Sequence, residues 1–219
     1  MTAPLDFYFD VISPYAYLAW HDIHEFAGAH GRDVRPVPVL FAGLLNVYGQ
    51  KGPAEIAPKR MYTFKNVARL AHDRGVALEF PPAHPFNPLL ALRIAGLDMA
   101  EDTRRGVIDA LFAAVWAGGP GVTDPDAVAD VLTQAGYDGA ALVEQAQQPE
   151  AKARLRASTD AAVSVGVFGV PTMVCDGELF WGADSLPHIA RFLAGDDPIT
   201  PELVERVRTL PAQATRPPR

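Results

Sequence analysis

What the sequence lacks narrows it first. One cysteine stands among 219 residues, so no intramolecular disulfide can form, a dithiol mechanism is excluded by count, and no cysteine-rich metal cage exists. Positive charge is also short: 19 Lys and Arg against 26 Asp and Glu leave a formal net charge of −7. The long-range field therefore repels polyanions, which argues against broad nucleic-acid or anionic-membrane binding and leaves room only for a local basic pocket. No apolar run approaches bilayer-spanning length, and "MTAPLDFYFD" has neither a basic start nor an apolar signal core. A cytoplasmic protein without a membrane partner is the expectation. HExxH, P-loop, GxSxG and zinc-ligand spacings are absent as well, and no metal is expected.

What is present is an ordinary globular composition, 49% hydrophobic and 21% charged, with enough chain for one sizeable core. The stretch "FYFDVISPYAYLAW" (7–20) runs as a strand to a corner at Ser13-Pro14, where an apolar helical pattern begins. Pro14 suits a first helical turn, since its missing N–H costs nothing there. That helix should end near Gly31, and "DVRPVPVL" (33–40) reads as a second strand, parallel to the first across the helix. Pro36 and Pro38 point to an edge position or to irregular pairing.

From about residue 42 to 165 the strand pattern gives way to five or six helices. One of them places Met61, Phe64, Val67, Ala68 and Ala71 on one face; another starts with Asn87 as cap and Pro88 in its first turn. Strands return in "PTMVCDGELFWG", two short runs about Asp176-Gly177, a hairpin signal, followed by a helix over "ADSLPHIARFL". The tail "PAQATRPPR" is expected to be disordered. The order β-α-β, helical block, β-β-α is that of an α/β core carrying an all-helical insertion between its second and third strands. The division expected is 1–43 with 166–219 as the core and 44–165 as the inserted domain.

Ser13 sits where a strand delivers the chain to a helix N-terminus. A serine there often only caps the helix. The same corner, with unpartnered amides and the positive end of the dipole, also stabilises a thiolate through the hydroxyl. In "GVFGVPTMV" (166–174), Pro171 precedes a strand, which is compatible with a trans start or a cis bond. Cys175, among apolar neighbours in the following strand, reads as a small packing residue.

Taken together, "SPYA" opening a helix and a distant "GVPT" before a hairpin resemble the thioredoxin fold, with Ser13 and Ala16 where its disulfide oxidoreductases carry two cysteines. The whole chain to about residue 195 resembles the glutathione-dependent 2-hydroxychromene-2-carboxylate isomerases and the related kappa-class glutathione transferases, through "FYFDVISPYAYLA", "GQKGPAEIAPKRMY", "HPFNPLLALR" and "GVFGVPTMVCDGELFWGADSL". The resemblance implies glutathione as cofactor, an aromatic carboxylate as substrate and a homodimer. It implies that Ser13 holds the glutathione sulfur, that Pro171 is the cis-proline and that Val170 pairs with the cysteinyl backbone. Ala183 and Asp184 would receive the γ-glutamyl end. Tyr15, Asn46, Gln50 and Arg60, with Lys59 beside it, would complete the cofactor contacts. Gln50 stands where many relatives have asparagine, and Asn46 where the naphthalene-pathway isomerases tend to have lysine.

Read from the residues alone, Lys59 and Arg60 also suit a solvated helix start, and Asp184 a helix cap. In "PPAHPFNP" (81–88), His84 suits carboxylate binding, an acid role, or a hydrogen-bonded loop histidine. Phe41, Tyr48, Phe86 and Trp181 serve equally as pocket walls or as core. The implied reaction is cis–trans isomerisation by reversible thiolate addition. A kappa-type transferase or peroxidase, and a glutathione-binding protein without turnover, are the alternatives.

Overall fold

The computed structural model describes residues 2–211 and 214. The tail expected to be disordered falls, apart from Pro211 and Ala214, outside them. The chain opens with β1 (Leu5–Phe9), α1 (Pro14–Ala29) and β2 (Val34–Pro38). It closes with β3 (Thr172–Cys175), β4 (Glu178–Trp181), α9 (Leu186–Leu193) and α10 (Pro201–Arg208). The sheet order is β2-β1-β3-β4, with β1 and β2 parallel and β3 antiparallel to both β1 and β4. The edge position read from Pro36 and Pro38 is the one β2 occupies, where a missing N–H costs no central ladder bond. The hairpin turns at Asp176-Gly177, both with positive φ.

Between β2 and β3 lie α2 (Phe41–Val47), a 3-10 turn (Pro53–Glu55), α3 (Ala57–Arg74), α4 (Leu89–Ala95), α5 (Glu101–Trp116), α6 (Pro125–Gln134), α7 (Gly139–Gln147) and α8 (Pro149–Ser164). The described block thus holds more α-helices than the five or six expected; the short α2 and α7 carry too few turns for periodicity to separate them from loops. α4 starts one residue late: Asn87 Oδ1 accepts from Leu89 N at 3.0 Å, and Pro88 is the cap. α3 departs further. Of its expected apolar face only Val67 and Ala71 are buried, Phe64 is half-buried, Ala68 is exposed and Met61 is 59% exposed. The C-terminal half of α3 packs, and the N-terminal half faces solvent.

One apolar cluster runs from Phe7 and Phe9 of β1 through Trp20 of α1 to Phe112 and Trp116 of α5 and Leu132 of α6, so the sheet and the inserted helices share a core. A smaller cluster on the other sheet face joins Tyr8, Val39, Leu44, Ala162 and Val170. α8 is stitched to the end of β2 by Ser158 Oγ donating to the Pro38 carbonyl (2.7 Å) and Thr159 Oγ1 accepting from Leu40 N (3.0 Å). α10, which no sequence signal had singled out, leaves Leu203, Val204 and Val207 exposed.

Topology puts one end of the sheet to use. β1 and β2, being parallel, finish at the same edge; β3 starts there and β4 returns to it. The loops carrying Ser13, Phe41, Pro171 and Ala183 therefore converge from four separate stretches of sequence.

Candidate active site

Ser13 is 8% exposed and caps α1, its Oγ accepting from Ala16 N at 3.2 Å. That bond uses a lone pair and leaves the hydroxyl proton to donate. In this structure it is aimed at the Val170 carbonyl, 3.4 Å away, a long contact that a better acceptor would displace. Val170–Pro171 is cis. The Val170 N–H has no acceptor among the described residues. The corner thus brings together a hydroxyl donor, a helix N-terminus and the backbone of Val170, whose carbonyl lies 3.4 Å from the Ser13 hydroxyl and whose N–H has no acceptor among the described residues.

The turn that presents Ser13 is held from several directions. Asp10, fully buried at the end of β1, accepts from Ile12 N through Oδ1 (3.0 Å) and from Phe41 N through Oδ2 (2.9 Å). Burial pushes its pKa up to about 7, with the Ile12 and Phe41 N–H bonds opposing. From the insertion, Trp116 Nε1 donates to the Val11 carbonyl (2.8 Å) and His84 Nε2 to the Ile12 carbonyl (2.9 Å). Sequence reading passed over Asp10 and Trp116. For Asp10 a signal existed, since an aspartate bonding the N–H two residues on is the Asx-turn habit; for Trp116 there was none.

The other expected residues divide. Arg60 is exposed and makes no hydrogen bond to the corner; its guanidinium lies 5.6 Å from the Phe64 ring centre, and Phe64 stands edge-on to His84 at 5.3 Å. Burial pushes the His84 imidazolium pKa down, the Ile12 bond opposes, and Arg60 adds to the lowering. The Tyr15 hydroxyl accepts from Asn66 Nδ2 of α3 at 3.1 Å. Gly182 N donates to the Pro171 carbonyl (3.0 Å), which ties the Ala183-Asp184 loop to the cis-proline. Asp184 is exposed, whereas Ala183 is buried and its carbonyl accepts from Arg74 of α3 at 3.1 Å. Arg74 also pairs with Asp22 of α1 at 2.7 Å. Asn46, Gln50 and Lys59 are exposed, and no hydrogen bond links their side chains to the corner.

The expected aromatic wall is split by the sheet. Phe86 packs with the large cluster beside His84, while Phe41 packs with the small cluster on the opposite face. Trp181 is 56% exposed and rests on Phe168, and Tyr48 is exposed past the end of α2. On the Phe86 side the insertion encloses an apolar recess of about 70 Å³ with Pro81, Pro82, Val115 and Val122. Cys175 is buried without a partner cysteine, and burial raises its thiol pKa, so it packs. Among the described residues no cluster of metal-ligating side chains occurs, and no helix is long and apolar enough to cross a membrane.

The family model of the DSBA-like thioredoxin domain matches residues 4–194. A 2-hydroxychromene-2-carboxylate isomerase of Sphingobium xenophagum is 30% identical over 88% of this chain and 99% of its own. Glutathione s-transferase kappa 2 of Caenorhabditis elegans is 30% identical over 86% of this chain and 90% of its own. Among solved structures, that of a 2-hydroxychromene-2-carboxylate isomerase superimposes with a TM-score of 0.80 at 26% identity, covering 95% of this chain and 99% of the other.

Proposed function

The chain belongs to the DSBA-like thioredoxin family, alongside the 2-hydroxychromene-2-carboxylate isomerases and kappa-class glutathione transferases, and we propose that it is a glutathione-dependent isomerase of hydroxychromene-type aromatic carboxylates. The observation that carries the reading is the juxtaposition of the Ser13 hydroxyl, on a helix N-terminus, with the backbone of Val170. The residues fit the tripeptide. The unpaired Val170 N–H suits the cysteinyl carbonyl, the exposed Asp184 carboxylate the γ-glutamyl ammonium, and Arg60 a carboxylate. Held by Ser13, Val170, Asp184 and Arg60, glutathione would supply a thiolate nucleophile capable of reversible addition to a conjugated double bond, the chemistry that a cis–trans isomerisation needs.

Ser13 then donates its proton to the sulfur and, with the α1 terminus, favours the charged form. It need not attack substrate itself, because among the described residues no base stands within hydrogen-bond reach of its Oγ. Phe86 and the apolar recess are suited to the edge of an aromatic ring, and Arg60 and Lys59 to a second negative charge.

The test is conversion of 2-hydroxychromene-2-carboxylate by the purified protein with glutathione present in catalytic amount. Isomerisation with the thiol titre unchanged is expected. Stoichiometric loss of thiol on a chlorinated aromatic or organic peroxide, without isomerisation, would favour the transferase reading instead. Tight binding without turnover on any of these would leave a non-catalytic binding protein.

Arg74→Ala tests the γ-glutamyl end separately. Losing the bond to the Ala183 carbonyl and the Asp22 pair is expected to weaken glutathione affinity about fivefold, corresponding to roughly 1 kcal/mol, while the bound thiol keeps its pKa. A homodimer is also proposed, supported by apolar surface at Val47, Ile56, Met61 and Tyr62; sedimentation velocity checks it.

A further inference from the structure

We infer that His84 is a positioning residue for Ser13, acting through the Ile12 carbonyl and seconded by Trp116, so that the inserted helical segment aims the active-site hydroxyl. This inference rests on the proposed glutathione-thiolate role of Ser13.

Five consecutive backbone groups of the turn are engaged: the Val11 carbonyl by Trp116, the Ile12 N–H by the Asp10 carboxyl, the Ile12 carbonyl by His84, the Ser13 N–H by the Asp10 carbonyl, and the Ser13 carbonyl by Tyr17 N. Asp10 and Tyr17 lie in the strand and helix that the turn joins. His84 and Trp116 come from 72 and 105 residues away. A carbonyl only accepts, so the His84 proton must be on Nε2. Nδ1 is then the bare nitrogen, and it is buried without a hydrogen-bond partner among the described residues. The ring is fixed by Phe64, Phe86 and Trp116, with centroids 5.3, 6.1 and 5.8 Å away. Burial and the field of Arg60 both disfavour a proton on Nδ1, and Nε2–H donates to the Ile12 carbonyl whether or not Nδ1 carries one. The Nε2 proton is thus committed to the turn. The Ile12–Ser13 peptide is consequently held at both ends, by His84 at its oxygen and by Asp10 at its nitrogen. The direction of the Ser13 Cα–Cβ bond follows from that plane.

The test compares the full-length wild type, His84→Phe and His84→Gln. Phenylalanine keeps the ring packing and removes the donor; glutamine returns an N–H to the Nε2 position. The ultraviolet absorbance of bound glutathione thiolate is followed against pH, with kcat and the glutathione KM. In His84→Phe the bound thiol pKa is expected to rise by about one unit. kcat should fall about tenfold, with KM changed less than about threefold, and His84→Gln should restore both pKa and kcat. Should His84→Phe not fold, His84→Met, equally unable to donate, takes its place. A folded non-donor variant with wild-type thiol pKa and kcat overturns the inference. So does a His84→Gln variant as impaired as His84→Phe, which would return His84 to an acid role. Failure of the wild type to bind glutathione as thiolate is a different result: it removes the proposed function, and this inference falls with it.

Discussion

Ser13→Ala is expected to lower kcat about a hundredfold, the usual cost of removing one preorganised donor from a developing or resting anion. The hydroxyl has two roles that the structure separates. As acceptor it caps α1 through Ala16 N, and as donor its proton is free for a ligand apart from the long Val170 contact. Alanine removes both, costing about 1 kcal/mol of stability through the cap and raising the bound thiol pKa by one to two units, roughly 1.4 to 2.7 kcal/mol of preference for the thiolate. Glycine at this position costs only a few tenths of a kcal/mol in capping yet also lacks the hydroxyl. If Ser13→Gly melts like wild type while matching Ser13→Ala in thiol pKa and kcat, the donor role is separated from the cap. If Ser13→Gly keeps wild-type activity, Ser13 is a helix cap and nothing more.

The second large effect is a pH dependence of stability through Asp10. Its folded pKa, raised by burial to about 7, lies well above an ordinary carboxylate. Between the unfolded and folded values the native state binds the extra proton, so stability is highest below the unfolded pKa and is lost as pH rises toward 7. Between pH 5 and pH 8 the group contributes a fall of about 2.5 kcal/mol. Asp10→Asn lacks this titration. It also turns an N–H toward one of the two backbone donors, costing about 1 to 3 kcal/mol at every pH. Urea unfolding at both pH values is therefore expected to show a variant less stable at pH 5 whose deficit shrinks by about 2.5 kcal/mol at pH 8. An equal deficit at the two pH values would mean that Asp10 is ionised throughout.

Much of this site was legible because its signals are local. A strand running into Ser-Pro, a Val-Pro ahead of a strand, and Asp-Gly between short apolar runs each fix backbone geometry within a few residues, and the paired prolines of β2 fixed an edge. The parts that escaped depend on distance in sequence. Nothing near Trp116 announces a bond to Val11, nor does anything near Arg74 announce one to Ala183. Met61 shows the complementary failure: helical period put it on the apolar face of α3, but period does not say where the packing partner ends. The aromatic wall failed to assemble on one side for the same reason, since Phe41 and Phe86 lie on opposite faces of a sheet whose order only the tertiary structure sets.

The central claim is that this corner holds glutathione as a thiolate. The most direct measurement is calorimetric titration of glutathione into the wild-type protein, with the thiolate absorbance of the complex recorded as pH is lowered from 8. Saturable binding with thiolate still present at neutral pH, well below the ordinary thiol range, is the result predicted. Absence of binding, or binding with the thiol protonated at neutral pH, would contradict it.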